Sequence, residues 1–151
     1  MLVGVISDTH GLLRPEALVA LAGTEHILHA GDVGDAEILR KLEVIAPVTA
    51  IRGNVDVSGE CASLPATEAV ELGGRLFYLV HSVRDLDLNP VAAGVSVVVS
   101  GHSHKPGVEW KGGVMYLNPG SAGPRRFSLP VTVALVTVSD DGVRAVIEEL
   151  L

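Results

Sequence analysis

Apolar residues in this chain come in short runs separated by glycine-bearing turns, and the order of those runs predicts an order of elements. Met1–Ile6 is a continuous apolar run of strand length. Arg14–Leu21 opens with Pro15 and stops near Gly23, the Pro-start and Gly-stop of a helix. His26–Ala30 predicts a second strand. Asp35 is placed to cap a helix over Ala36–Ala46, in which Ile38, Leu39, Leu42 and Ile45 share one face. Val48–Ile51 is a third strand. The pattern then changes. Glu68–Leu72 and Arg75–Val80 flank Gly73-Gly74, a hairpin signal. Asn89-Pro90 starts a short helical turn before a strand at Val95–Val99. Gly107–Trp110 and Val114–Leu117 flank Lys111-Gly112-Gly113, and Val131–Val138 and Val143–Glu149 flank Asp140-Asp141-Gly142. A βαβαβ half followed by a half of strands and hairpins is satisfied by two β-sheets with helices outside them.

The polar residues add a second regularity. Asp8, Asp32, Asn54, His81 and His102 each stand just beyond the C-terminal end of an apolar strand. In sheets built from parallel crossovers, ligands bind outside those ends, so five loops carrying metal-competent side chains can converge on one site. Asp8 and His10 are two apart, as are His102 and His104; in extended backbone, residues so spaced point to the same side. Gly11, Gly31, Gly34, Gly53 and Gly101 accompany them and permit the close backbone approach that a ligand cluster needs. Imidazole mixed with oxygen donors favours Mn, Fe, Co, Ni or Zn over Ca or Mg.

Length and composition narrow the class. A chain of 151 residues suits one domain spanning 1–151. Its residues are 48% hydrophobic and 3% aromatic, so the core must be aliphatic, as in buried sheets covered by helices. No uncharged apolar run is long enough for a membrane span. The start MLVGVISDTHG has no basic stretch or small-residue cleavage site, and the lone Cys61 fits a reducing compartment; a cytoplasmic protein is expected. Cys61 itself reads as a small semi-buried residue. A net charge of −7 argues against a nucleic-acid polymer or anionic lipid as partner but leaves a small phosphorylated substrate open, because bound cations invert the local field. An apolar composition with few charges is compatible with a homo-oligomer.

Asp8-Thr9-His10, Gly31-Asp32-Val33-Gly34, Gly53-Asn54-Val55-Asp56, His81 and Gly101-His102-Ser103-His104, in that order, resemble the calcineurin-like metallophosphoesterases, and most closely their YfcE-like phosphodiesterase group. Asn118-Pro119-Gly120-Ser121 with Pro124-Arg125 adds to the resemblance, which spans residues 3 to 126. It implies a four-layer αββα sandwich of two mixed β-sheets flanked by helices, and a dinuclear centre usually studied with Mn. It also implies a partition of donors: Asp8, His10, Asp32 and His104 for one metal; Asp32, Asn54, His81 and His102 for the other, with Asp32 bridging. Asp32, Asn54, His81 and His102 are then also the expected catalytic residues.

Two departures from the family pattern bear on function. Many relatives have a histidine after the conserved asparagine, placed to protonate the leaving group; here it is Val55. His81 is usually followed by Gly and His, whereas Ser82 and Val83 follow it here. The resemblance with Val55 favours hydrolysis of a small phosphodiester; a phosphomonoesterase, or a binding scaffold on the same fold, are the other readings. Among the remaining polar residues, His29 reads as a satisfied core histidine and His26 as surface. Asp56 is a support for the Asn54 loop or a turn residue, and Arg84, Arg125 and Arg126 are phosphate-contact candidates that otherwise stand in solvent.

Overall fold

A computed structural model describes residues 1–151. Ten strands form two five-stranded sheets. The first contains β1 (Leu2–Ile6), β2 (His26–His29), β3 (Val48–Ala50), β9 (Thr132–Ser139) and β10 (Gly142–Glu149), in the spatial order β10-β9-β1-β2-β3. The second contains β4 (Thr67–Leu72), β5 (Arg75–Val80), β6 (Val95–Val99), β7 (Gly107–Lys111) and β8 (Val114–Asn118), ordered β4-β5-β6-β8-β7. Each sheet has three parallel strands, β1, β2 and β3 in one and β5, β6 and β8 in the other. The remaining strands pair antiparallel. Both sheets are therefore mixed, as expected.

The sheets face each other across a core that is aliphatic apart from Phe77 and includes Val3, Val5, Leu28, Leu79, Val97, Val99 and Leu117. Helices α1 (Pro15–Leu21) and α2 (Glu37–Glu43) cover the outside of the first sheet, where Ala17, Leu21, Ile38 and Leu42 pack with Ile6, Ile27 and Val133. Covering on both faces explains why β1 reads as an unbroken apolar run rather than an alternating one, and why adjacent Ile27 and Leu28 in β2 are both buried. Outside the second sheet the helical layer is thin: one turn, α3 (Pro90–Ala93), and the Leu86–Leu88 segment lie against Tyr78, Val80, Val95 and Val98. No helix is long and apolar enough to cross a membrane.

Local chemistry set the element ends. Pro15 sits in the first turn of α1 with extended Arg14 before it. The second helix is shorter than Ala36–Ala46: Asp35 Oδ1 accepts from the Glu37 N–H (2.9 Å), and past Glu43 the chain tightens, with Ile45 N–H donating to Leu42 O. Pro47 disfavours helical backbone at Ala46, which ends it there. Both Gly-Gly pairs, Gly73-Gly74 and Gly112-Gly113, have positive φ at each residue, the requirement of a tight two-residue hairpin. Short 3₁₀ turns at Glu60–Ser63 and Val83–Asp85 had no periodicity long enough to predict them.

Candidate metal centre

All six parallel strands end on the same side of the sandwich, and their loops meet. Asp8 follows β1, Asp32 follows β2, Asn54 follows β3, His81 follows β5 and His102 follows β6. Backbone shape brings the donors inward. Six non-glycine residues have positive φ, and five of them are Asp8, His10, Asp32, His102 and His104. Left-handed backbone is uncommon outside glycine, and Asp, Asn and His tolerate it best, so these loops turn at their donors instead of running extended as the two-residue spacing implied.

The side chains form two adjoining groups. Asp8, His10 and His104 offer one set of donors and Asp32, His81 and His102 a second, the atoms of each set within 4.8 Å of one another. Asp32 Oδ2 faces both, 3.5 Å from His10 Nε2 and 3.2 Å from His81 Nε2. Asn54 Oδ1 lies 3.1 Å from His81 Nε2 and 3.3 Å from His102 Nδ1. All seven expected donors are thus brought together. Asp8 and His104 are buried and His10 half-buried, whereas Asn54 and His102 are exposed, so the second group is the one open to solvent.

Burial and hydrogen bonding set the charge states. Burial raises the Asp8 carboxyl above its usual range, against the lowering effect of Ser7, whose hydroxyl donates to Oδ2 (2.8 Å). Burial acts the same way on Asp32, but the hydrogen bonds from His81 and the Val55 N–H overcome it and hold that carboxyl at about 2. On His81, burial is outweighed by the hydrogen bond with Asp32 and by the Ala30 carbonyl, and the imidazole is shifted up. Its Nδ1–H donates to Ala30 O (2.7 Å), which turns Nε2 toward the site. His104 is pushed down to about 4 by burial, then by Arg126 and His10, so it is the neutral, ligating form near neutrality.

These residues fit divalent cations. Asp8 Oδ1 is buried with no hydrogen-bond partner, yet His104, His10 and His81 Nε2 stand 3.4, 3.8 and 3.9 Å away. An orphaned carboxylate oxygen facing three imidazoles is costly unless a cation lies among them. Oxygen and imidazole donors together suit divalent transition metals.

Residues behind the donors hold the loops. Asp56 accepts from the N–H groups of Val33 (3.1 Å), Gly34 (3.0 Å) and Gly53 (2.8 Å), tying the loop after β2 to the loop after β3. His29 is fully buried; its Nδ1 accepts from Gly31 N–H (3.2 Å), and Nε2 therefore donates to Thr9 Oγ1 (3.0 Å), which donates to Val33 O (2.8 Å). It is the satisfied core histidine expected. His26, expected on the surface, is instead half-buried beside Thr49 Oγ1 (2.8 Å), because β3 covers that side of β2. Asn118 makes the turn expected, with Gly120 N–H donating to its Oδ1, and its Nδ2 also donates to Gly101 O (3.0 Å) and Ser103 Oγ (3.1 Å). Ser121 Oγ donates to Asp8 O (3.0 Å). The sixth loop thus braces the donors. Ser7 and Ser121 carried no signal in the sequence: a serine beside a strand end is too common to single out.

A cleft of about 600 Å³ opens beside Asn54, His81 and His102, with Arg52, Thr67, Ser82, Arg84, Asp85 and Asp87 among its walls.

The family model described as the calcineurin-like phosphoesterase superfamily domain matches residues 1–141. A probable metallophosphoesterase of Methanothermobacter thermautotrophicus is 35% identical over 147 residues, covering 89% of this chain and 85% of that one. Solved structures share the fold. An archaeal phosphodiesterase has a TM-score of 0.80 at 23% identity, covering 98% of this chain and 100% of its own. YfcE, a phosphoesterase from E. coli, has a TM-score of 0.72 at 23% identity with full coverage of both chains, 100% each. Vacuolar protein sorting 29 from Cryptosporidium parvum has 0.75 at 22%, covering 98% of this chain and 96% of its own.

Proposed function

This chain belongs to the calcineurin-like phosphoesterase superfamily, and from that premise we propose that it is a dinuclear metal-dependent phosphodiesterase acting on a small phosphodiester. The observation that carries the proposal is the pair of adjoining donor groups with Asp32 Oδ2 between them. Asp8, His10 and His104 would hold a buried ion and Asn54, His81 and His102 an outer one, with Asp32 placed between the two groups. Manganese is the ion we would supply first, with Fe, Co, Ni and Zn compatible with the same donors. Divalent cations held there would supply an acidified water and positive charge against the phosphoryl oxygens.

The chain's own residues then divide the work. Asp32, ionised well below neutrality, keeps its charge throughout the working range. The Ala30 carbonyl fixes the His81 ring so that its Nε2 faces Asp32 and Asn54 as a donor for the outer ion. His102 and Asn54, at the open edge, position the substrate phosphate. Val55 stands beside Asn54, exposed and unable to transfer a proton, so the leaving group must be activated or be protonated by solvent. General-acid help typically contributes ~10²–10⁴-fold, and its absence favours diesters with good leaving groups over monoesters.

The test is metal content and turnover on one preparation. The protein loaded with Mn should bind two ions per chain and hydrolyse bis(4-nitrophenyl) phosphate faster than 4-nitrophenyl phosphate. One ion per chain overturns the dinuclear assignment. A monoester preference overturns the substrate ranking, and two tight ions with neither ester turned over would make the protein a scaffold.

A further inference from the structure

The cleft beside the outer donor group has walls of an unusual kind for a substrate site. Only Ala66 and Val80 are hydrophobic, and no Phe, Tyr or Trp lines it; the only rings are the imidazoles of His81 and His102. One wall is the segment after His81, where Ser82 and Val83 replace the family's Gly and His and a 3₁₀ turn spans Val83–Asp85. That turn brings Arg84 and Asp85 to the rim, with Asp87 just beyond. The facing wall is the end of β3, which supplies Arg52.

Neither arginine has an ion-pair partner. Arg52 spends one guanidinium nitrogen on Leu64 O (2.7 Å), and Arg84 makes no hydrogen bond within the chain. Of the two carboxylates, Asp87 accepts from the Tyr78 hydroxyl (2.8 Å) through one oxygen and Asp85 is free of side-chain partners. Donors and acceptors are therefore both available, with two positive and two negative side chains. This balance discriminates among substrate classes. A second fixed anion would meet Asp85 and Asp87 as well as the arginines, and a fixed cation would meet the arginines. A nucleobase would find no ring to stack on other than the His81 and His102 imidazoles, which belong to the donor groups, and an alkyl chain almost no apolar wall. Hydroxyl groups satisfy all four side chains at once, since each donates to a carboxylate and accepts from a guanidinium.

We propose that this cleft binds a polyhydroxylated alcohol, glycerol or a sugar, as the second half of the phosphodiester. The inference rests on the phosphodiesterase reading and names its substrate class.

Three esters sharing 4-nitrophenol as leaving group test it on the Mn-loaded protein: the glyceryl, propyl and thymidine 5′ 4-nitrophenyl phosphate diesters. The glyceryl ester should exceed the propyl ester at least about tenfold in kcat/KM, the worth of one or two hydrogen bonds. In the double variant Arg84→Gln, Asp85→Asn, both exposed side chains, that ratio should fall to within about twofold. Equal rates for glyceryl and propyl esters, preference for the thymidine ester, or a ratio unchanged in the variant each overturn the polyol assignment and leave the phosphodiesterase reading standing. Turnover of none of the three overturns both.

Discussion

At Gly101 the structure leaves no room for a single added carbon. A Cβ there would lie 2.1 Å from Ser7 Oγ and 2.5 Å from Asp8 Oδ2, the hydroxyl–carboxylate pair that orients Asp8. Gly101→Ala should therefore push Asp8 off its position, lowering metal affinity at least about tenfold and stability by ~1–3 kcal/mol. At Gly107 the same carbon would meet nothing within 4 Å. Gly107→Ala is the matched control, and titration calorimetry with Mn should separate the two; equal affinities would show that Asp8 is not held in this way. Asp32→Asn makes a different point, about charge rather than space. The variant keeps an Oδ1 that can accept the Val55 N–H but replaces Oδ2 between His10 and His81 with an amide. We expect turnover to fall ~10²-fold or more, with metal lost from both groups together. Loss of one ion alone, measured as metal per chain, would assign Asp32 to a single site.

Between elements, the loops after β1, β2 and β3 are locked by groups that bind no substrate. Asp56 takes three backbone N–H groups from two loops, so Asp56→Ala leaves up to three buried or half-buried donors without a partner. A destabilisation of about 3 kcal/mol is expected in urea unfolding, with Asn restoring part of it. His29, at the end of β2, adds a pH dependence. Burial depresses its imidazole from 6.5 to about 4, so between those values the unfolded chain holds a proton that the folded chain refuses. Stability should fall as pH drops from 6.5 toward 4, by roughly 3 kcal/mol, and the decline should be shallower in His29→Gln. Identical slopes in the two proteins would place the acid sensitivity elsewhere. The succession of strands along the chain, both Gly-Gly hairpins and the five donor-bearing strand ends were legible in the sequence, because each rests on a local signal: an apolar run, a pair of glycines, a polar residue after a strand. Asp56, His29 and Asn118 were seen as residues but not fully as braces, because their partners lie on other loops. The polar cleft was invisible for the same reason: Arg52 and Asp85 are 33 residues apart and neither belongs to a motif.

Over the whole molecule, the same five strand ends that carry the donors also concentrate cost. Three buried carboxylates (Asp8, Asp32 and Asp56), five left-handed non-glycine residues and an unpartnered Asp8 Oδ1 sit on one face of a fold whose net charge is already −7. The aliphatic core between the sheets and the layer under α1 and α2 must support that strain when no cation is bound. Divalent ions that bind the folded chain and not the unfolded one return stability by mass action, ~4 kcal/mol at a thousandfold excess over Kd. For a chain of this length that corresponds to a rise in Tm of about 10 °C. Chelation should lower Tm by that amount in the native protein, and re-addition of Mn should restore it. In Asp8→Asn the buried negative charge is gone, so the chelated protein should melt higher than chelated wild type while gaining little from Mn. Were the chelated variant to melt lower than chelated wild type, Asp8 would be part of the fold's own support, and the strain at these strand ends would not be stored for the metal.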